Sequence, residues 1–268
     1  MGLQKHCKTQ RSFRTFKINE KQKFISCQNF NLTKNQSLNH KIMIKKILLS
    51  ALFLIGITSF SQESDFKIPD YKVIEKEIKD KNSSYYYPKL MERLVKNDTL
   101  LTNEDYQHLY LGYVFQPKYN AFWRSPDEKK LREFYAKEEL DTKDYDEIIK
   151  LANHSLSDFP FDLKQLNFLS YIYHLKGEEE AAKMASLKFH KILNAIFSTG
   201  DGKACETGFH VILVEHEYLM LNVFEIESKS QALVGNCDYL SFEKGKYKVD
   251  GIYFNIEKML ENESKALK

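Results

Sequence analysis

The chain has no His-Glu-x-x-His, no Cys-x-x-Cys and no Gly-x-x-x-x-Gly-Lys-Ser/Thr. Those absences remove the commonest zinc, redox and nucleotide-phosphate signatures. Proline and glycine are scarce, at five and ten residues, while aromatics make up 13%. Such a composition argues for a folded core and against disorder. A membrane-length apolar run is also missing. The apolar stretch from Ile47 to Ile57 has eleven residues, whereas a bilayer span takes about 20.

What surrounds that stretch gives it a meaning. Lys45 and Lys46 precede it, and Ser59 and Ser61 are small residues at −3 and −1 of a cut before Gln62. A basic start, a short apolar centre and small residues at the cut make residues 43–61 a signal peptide. No Cys follows, so a lipidated N-terminus is not indicated. Residues 1–42 are polar, rich in Lys, Asn and Gln, and nearly free of acids. They read as a disordered extension or as sequence upstream of a true start at Met43. An organellar transit peptide is the alternative for so basic a leader. Residues 62–69 read as a flexible linker. The expectation is a protein exported to the periplasm or secreted, with no stable membrane span once the signal is cut.

Removing the leader reverses the charge. The whole chain carries +3 with pI ≈ 8.4, which by itself would hint at nucleic acid. The leader holds 11 of the 40 basic residues and one acid, Glu20, leaving 29 basic and 36 acidic residues beyond it. The remainder is acidic and shows no basic stripe interleaved with aromatics, so nucleic acid is excluded as a partner. The cysteines divide likewise: Cys7 and Cys27 leave with the leader, and Cys205 and Cys237 remain. In an oxidising compartment these two form a disulfide candidate. Closing a loop of about 30 residues would be worth roughly 3–4 kcal/mol. Two free, buried thiols are the alternative.

The remaining roughly 200 residues fit one domain or two small ones. Residues 70–199 read as helical. Apolar stripes at helical spacing mark residues 71–81, with Val73, Ile74 and Ile78, and residues 86–95, with Tyr87, Leu90, Met91, Leu94 and Val95 at i, i+3, i+4, i+7 and i+8. Thr102 with Asp105 three residues on starts a third helix, which Pro117 ends. Residues 117–127 form a loop. Ser125 caps the next helix and Thr142 the one after it. Residues 200–258 change period. Strands are expected over 209–214, 218–224, 239–243 and 249–256, with Glu215-His-Glu217 and Lys244-Gly-Lys246 as turns. Residues 259–268 read as a tail helix.

Ile148 and Ala182 stand 34 residues apart, the tetratricopeptide period. In that register Leu166, Leu169, Ser170 and Tyr173 occupy the first helix's apolar and small positions, Gly177 the turn and Pro160 the preceding repeat's end. Residues 129–197 resemble about one and a half tetratricopeptide repeats. The fold class expected is therefore α+β: tetratricopeptide-like antiparallel helix pairs followed by a small, mainly antiparallel four-stranded sheet.

A second resemblance rests on longer strings. These are His108-Leu-Tyr-Leu-Gly-Tyr-Val-Phe-Gln-Pro117 with Tyr119-Asn120, Ser198-Thr-Gly-Asp-Gly-Lys-Ala-Cys205, Phe209-His-Val211 with Glu217-Tyr218, Gly235-Asn-Cys-Asp-Tyr239 and Gly251-Ile-Tyr-Phe-Asn-Ile256. Together they make residues 70–258 resemble an exported bacterial family, the domain of unknown function four-nine-one-nine. The resemblance implies export and a helical, tetratricopeptide-like core, and it carries no catalytic residues over.

Two places hold candidate chemistry. In the segment 200–216, Gly200-Asp-Gly-Lys203 has the wrong order for a phosphate loop and reads better as a connection needing positive φ. His210 and His216, if on one strand, lie about 20 Å apart at 3.3 Å per residue and cannot share a metal. Cys205 with His210 would be a nucleophile and base if the thiol were free. Asp201 and His210 are the candidate ligand-binding residues here. The other place is the loop after Pro117, where Tyr119, Phe122 and Trp123 stand outside any helix and suit a peptide or glycan groove. No catalytic set, metal site or cofactor motif is indicated. The function expected is a non-enzymatic binding or scaffold module of the cell envelope with a protein or peptide partner. The alternative is an exported hydrolase using the segment 200–216.

Overall fold

The structure is a computed structural model and describes residues 66–266. The expectations placed on the N-terminal extension, the signal peptide and the first half of the linker lie outside the described residues. The fold is α+β. Nine α-helices are described: α1 (Tyr71–Lys79), α2 (Tyr87–Val95), α3 (Asn103–Gly112), α4 (Glu128–Ala136), α5 (Tyr145–Asp158), α6 (Leu163–Leu175), α7 (Glu179–Phe197), α8 (Val214–Val223) and α9 (Glu257–Ala266). The strands are β1 (Phe209–His210), β2 (Ser230–Val234), β3 (Cys237–Ser241) and β4 (Gly251–Asn255).

Local chemistry accounts for several helix starts. Asp70 accepts from Lys72 N–H and Val73 N–H at the head of α1. Thr102 and Asp105 form a reciprocal capping box on α3, satisfying two of the donors a helix start leaves open. Ser125 does not cap α4. Its hydroxyl accepts from Asp127 N–H within the preceding turn, and Asp127 occupies the N-cap position. Thr142 begins a 3-10 turn, Thr142–Asp144, that leads into α5.

α7 packs along α6 and also against α3, and α5 packs on α6. Of the residues in the 34-residue register, Ile148, Leu166, Leu169, Ser170 and Ala182 are buried. Gly177 takes φ 78° in the tight turn between α6 and α7. One large apolar core joins α1–α3, the second half of α7, α8 and the inner face of the sheet, with Leu109, Tyr110, Ile192, Ile212, Leu240 and Phe254 among its members. Two smaller clusters lie under α4–α6.

The sheet order is β1-β4-β3-β2, antiparallel except for the parallel β1–β4 pair. Its membership differs from the sequence expectation. Residues 218–223 belong to a helix, with Phe224 as its C-cap, because His216, Glu217, Met220 and Leu221 are the buried positions, a spacing of i, i+1, i+4, i+5 that only a helix turns to one side. The strand expected over 209–214 keeps two residues. β2 was not anticipated: it is an edge strand, largely exposed and without alternating polarity. Its place is set by β3, joined through the two-residue turn Gly235-Asn236, where Gly235 takes φ 61° as a hairpin of this length requires. The Cys205–Cys237 disulfide ties the turn Cys205–Thr207 to the start of β3. Among the described residues no helix is long and apolar enough to cross a membrane.

Candidate functional site

The chain between α7 and α8 is gathered against the sheet by a set of fixed contacts. Asp201 faces inward on its own loop: Oδ1 accepts from Thr207 Oγ1 at 2.7 Å and from Lys203 N–H at 3.1 Å, and Lys203 Nζ lies 3.0 Å from Oδ2. These partners hold the carboxyl below the usual range despite the cost of partial burial. Gly200 allows the loop to close, since a Cβ there would meet the Thr207 carbonyl oxygen at 2.3 Å. Gly202 takes φ 68°. The segment is thus a tightly closed connection.

His210 is buried on β1. Its backbone N–H donates to Thr199 Oγ1, and its ring meets Tyr71, with Nδ1 3.3 Å from the hydroxyl. Burial first, and the Lys258 charge second, lower its pKa to about 4. Lys258 itself sits over the Tyr71 ring, 5.1 Å from its centroid. Asp201 and His210 therefore flank one connection but serve separate contacts.

The first turn of α8 carries Glu215, His216 and Glu217, each pointing a different way. His216 is closed on both ring nitrogens. Nε2–H donates to the Phe161 carbonyl at 3.0 Å, which leaves Nδ1 to accept from the Tyr110 hydroxyl at 2.8 Å. The same Tyr110 oxygen accepts from Ile212 N–H at 3.2 Å. Every proton in this chain has one consistent place, and burial lowers the His216 pKa to about 3. Glu215 lies 3.5 Å from Lys164. Its charge is the second cause, after burial, that raises the pKa of the α6 capping residue Asp162 to about 7. The strand geometry that separated His210 from His216 by distance does not apply, because His216 stands on a helix. The ring contacts now keep it from a metal. Among the described residues no group of three or more His, Cys, Asp or Glu is placed to hold a metal ion.

Glu217 is fully buried and closed differently. Gln231 Nε2, reaching in from β2, lies 3.4 Å from Glu217 Oε2 and 2.6 Å from Asp238 Oδ2. Gln231 Oε1 accepts from the Tyr218 hydroxyl at 2.5 Å. Burial, and then the neighbouring Asp238, push the Glu217 pKa well above its ordinary value. Sequence reading missed this pair. Asp238 is 21 residues away in the chain, and no motif links them.

The loop aromatics separate from one another. Tyr119 is buried, and its hydroxyl donates to the Ile212 carbonyl at 3.0 Å. Trp123 is half-buried against Phe159, with ring centroids 4.6 Å apart, and donates Nε1–H to Asp158 at 2.6 Å. Phe122 is 41% exposed. α9 folds over this loop, where Asn262 Oδ1 accepts from Ala121 N–H at 3.1 Å. Of the three, Phe122 is the most exposed.

Comparison with known proteins agrees in one respect. A family model described as "Domain of unknown function (DUF4919)" matches residues 72–265, and the chain belongs to that family. Neither the curated proteins nor the solved structures offer a match.

Proposed function

Starting from membership of that family, we propose that the protein is exported and acts in the cell envelope as a non-enzymatic binding or scaffold module for a protein or peptide partner. The observation that carries this reading is the Cys205–Cys237 bridge. Disulfides persist in oxidising compartments, which supports export together with the signal-like segment at 43–61. The bridge also removes the thiol that a Cys205–His210 nucleophile would need. The other groups of the alternative hydrolase site have structural commitments: Asp201 closes its own turn, and His210 and His216 are buried and neutral.

The helix pairs α5–α6 and α6–α7, with the 34-residue register on their buried faces, support a tetratricopeptide-like stack, an architecture that presents extended surfaces to partners. Outside it, Phe122 and the edge residues Leu233 and Val234 are exposed apolar side chains, and an open strand edge accepts extended peptides. Fractionation of cells expressing the full chain tests export: the product should lie outside the cytoplasm, begin at Gln62 and carry no free thiol. An uncut cytoplasmic product with Cys205 and Cys237 both reduced overturns it. Crosslinking in the native envelope tests binding, with a specific partner lost in Phe122→Ser or Leu233→Ser. Hydrolysis of a peptide or ester by the purified chain, abolished by His210→Gln, would favour the alternative.

A further inference from the structure

We propose that Glu217 and Asp238 hold one proton between them and form a pH-sensitive latch that fastens the β2–β3 hairpin to α8. Three observations carry it. The first is enclosure: Glu217 is 0% exposed and Asp238 7% exposed, and after burial it is the neighbouring Asp238 that raises the Glu217 pKa. The second is the bridging donor. A single side-chain amide, Gln231 Nε2, serves both acids, and among the described residues neither acid has an ion pair with a Lys, Arg or His. The third is Glu217 Oε1, which meets no N–H or O–H donor.

Two carboxylates this close and this dry cannot both ionise. A carboxyl oxygen without a donor is completed when the group carries a proton and donates it, and Asp238 is the acceptor at hand. The titratable and polar groups facing the pair are Asp238 from β3, Gln231 from β2, Tyr218 one residue along α8, and Tyr110 from α3, whose hydroxyl also feels the Glu217 charge. None is a cation that would neutralise a second negative charge. Each strand of the hairpin contributes one member, Gln231 or Asp238, and α8 contributes Glu217. Losing the shared proton therefore places uncompensated charge in the seam between hairpin and helix.

The direction follows from linkage. The folded pair keeps a proton that the unfolded chain releases above about pH 4.3. Stability from this pair is thus complete below that pH and declines as pH rises, by up to about tenfold in the unfolding equilibrium per pH unit. Asp162, at the head of α6, contributes a separate decline. Denaturant unfolding of the disulfide-intact chain at pH 6.5 to 8, above the range in which His210 and His216 oppose it, should show this fall, and Glu217→Gln should flatten it by one proton's share and be more stable than wild type at pH 8. Amide exchange, corrected for its intrinsic pH dependence, should lose protection in β2 and β3 before α6 and α7. A Glu217→Gln slope equal to wild type overturns the latch. Carbon-detected titration of the wild-type carboxyls gives a check that needs no variant. A buried acid should titrate well above the ordinary carboxylate range, and ionisation of every Glu and Asp outside Asp162 within that ordinary range also overturns it.

Discussion

His216 and Glu217 are neighbours on α8, both with almost no exposure, and they are closed in opposite ways. His216 has a partner of fixed sense on each nitrogen, a carbonyl that can only accept and a hydroxyl left free to donate. Glu217 has an amide shared with a second acid and an oxygen with no donor. Burying a polar group without a partner costs roughly 2–7 kcal/mol. The imidazole avoids that cost through contacts made by residues far away in sequence. The carboxyl avoids it by remaining protonated. The first solution is rigid and indifferent to pH near neutrality, whereas the second depends on pH.

The largest way to break the comparison is on the histidine side. Tyr110→Phe removes a hydroxyl that serves both His216 Nδ1 and Ile212 N–H. Two buried groups then lack partners, each at about 1–3 kcal/mol, so a loss of roughly 2–6 kcal/mol is expected in denaturant unfolding. A loss below about 1 kcal/mol would show that water or a rearranged ring replaces the hydroxyl. On the sheet side, Cys237 adjoins Asp238 on β3. Replacing Cys205 and Cys237 by Ala should cost about 3 kcal/mol on the loop-entropy model. The exchange of β2 and β3 amides should rise, while those of α6 and α7 keep their relative protection.

A pH series sharpens the contrast without any variant. His210 and His216 have folded pKa values lowered to about 4 and about 3, against about 6.5 unfolded. Below pH 6.5 the unfolded chain binds protons that the folded chain refuses, so each histidine removes about 1.4 kcal/mol per pH unit until its folded pKa is reached. The acids oppose this. Glu217, Asp238 and Asp162 are raised in the fold, so their contribution declines as pH rises. Unfolding midpoints should peak between these limbs, falling steeply below about pH 4.5 and more gently above about pH 6.5. A midpoint that still climbs from pH 6.5 to 8.5 would contradict the assignment of the acids.

What was legible in the sequence was what is local. The Thr102–Asp105 box involves residues three apart, and its hydrogen bonds are made within one turn. The buried residues of the α1 and α2 stripes, Ile74 and Ile78 and then Tyr87, Leu90 and Leu94, likewise fall within nine residues, whereas Val73 and Val95 of those stripes are exposed. Residues 218–224 misled because Tyr, Leu, Val and Phe suit a strand surface as well as a helix. What decides is the burial of His216 and Glu217, which depends on Tyr110 and Asp238. β2 carried no signal because an exposed edge strand has no buried face to impose alternation. Its register comes entirely from pairing with β3. The family resemblance rested on strings that include Tyr110 and Glu217, but the contacts around α8 span 55 to 106 residues for His216 alone.

The smallest effects separate two aromatics that the sequence treated alike. Pro117 lies beyond the end of α3, which suggested that Tyr119 and Phe122 both stand on an open loop. Instead the loop turns back beneath α9, held by Asn262, and carries Tyr119 into the same seam as Tyr110. Tyr110 accepts from the Ile212 N–H while Tyr119 donates to the Ile212 carbonyl, so one backbone unit is clasped from both sides. Tyr119→Phe leaves that carbonyl unpaired and should cost about 1–2 kcal/mol. Phe122→Ser truncates a residue that is 41% exposed and should cost less than Tyr119→Phe. If Phe122 contributes to a partner surface, its substitution lowers capture of that partner while leaving the melting temperature in place, and Tyr119→Phe does the reverse. Equal destabilisation by the two variants would mean that Phe122 is held by the fold as firmly as Tyr119, and would remove it from the binding surface.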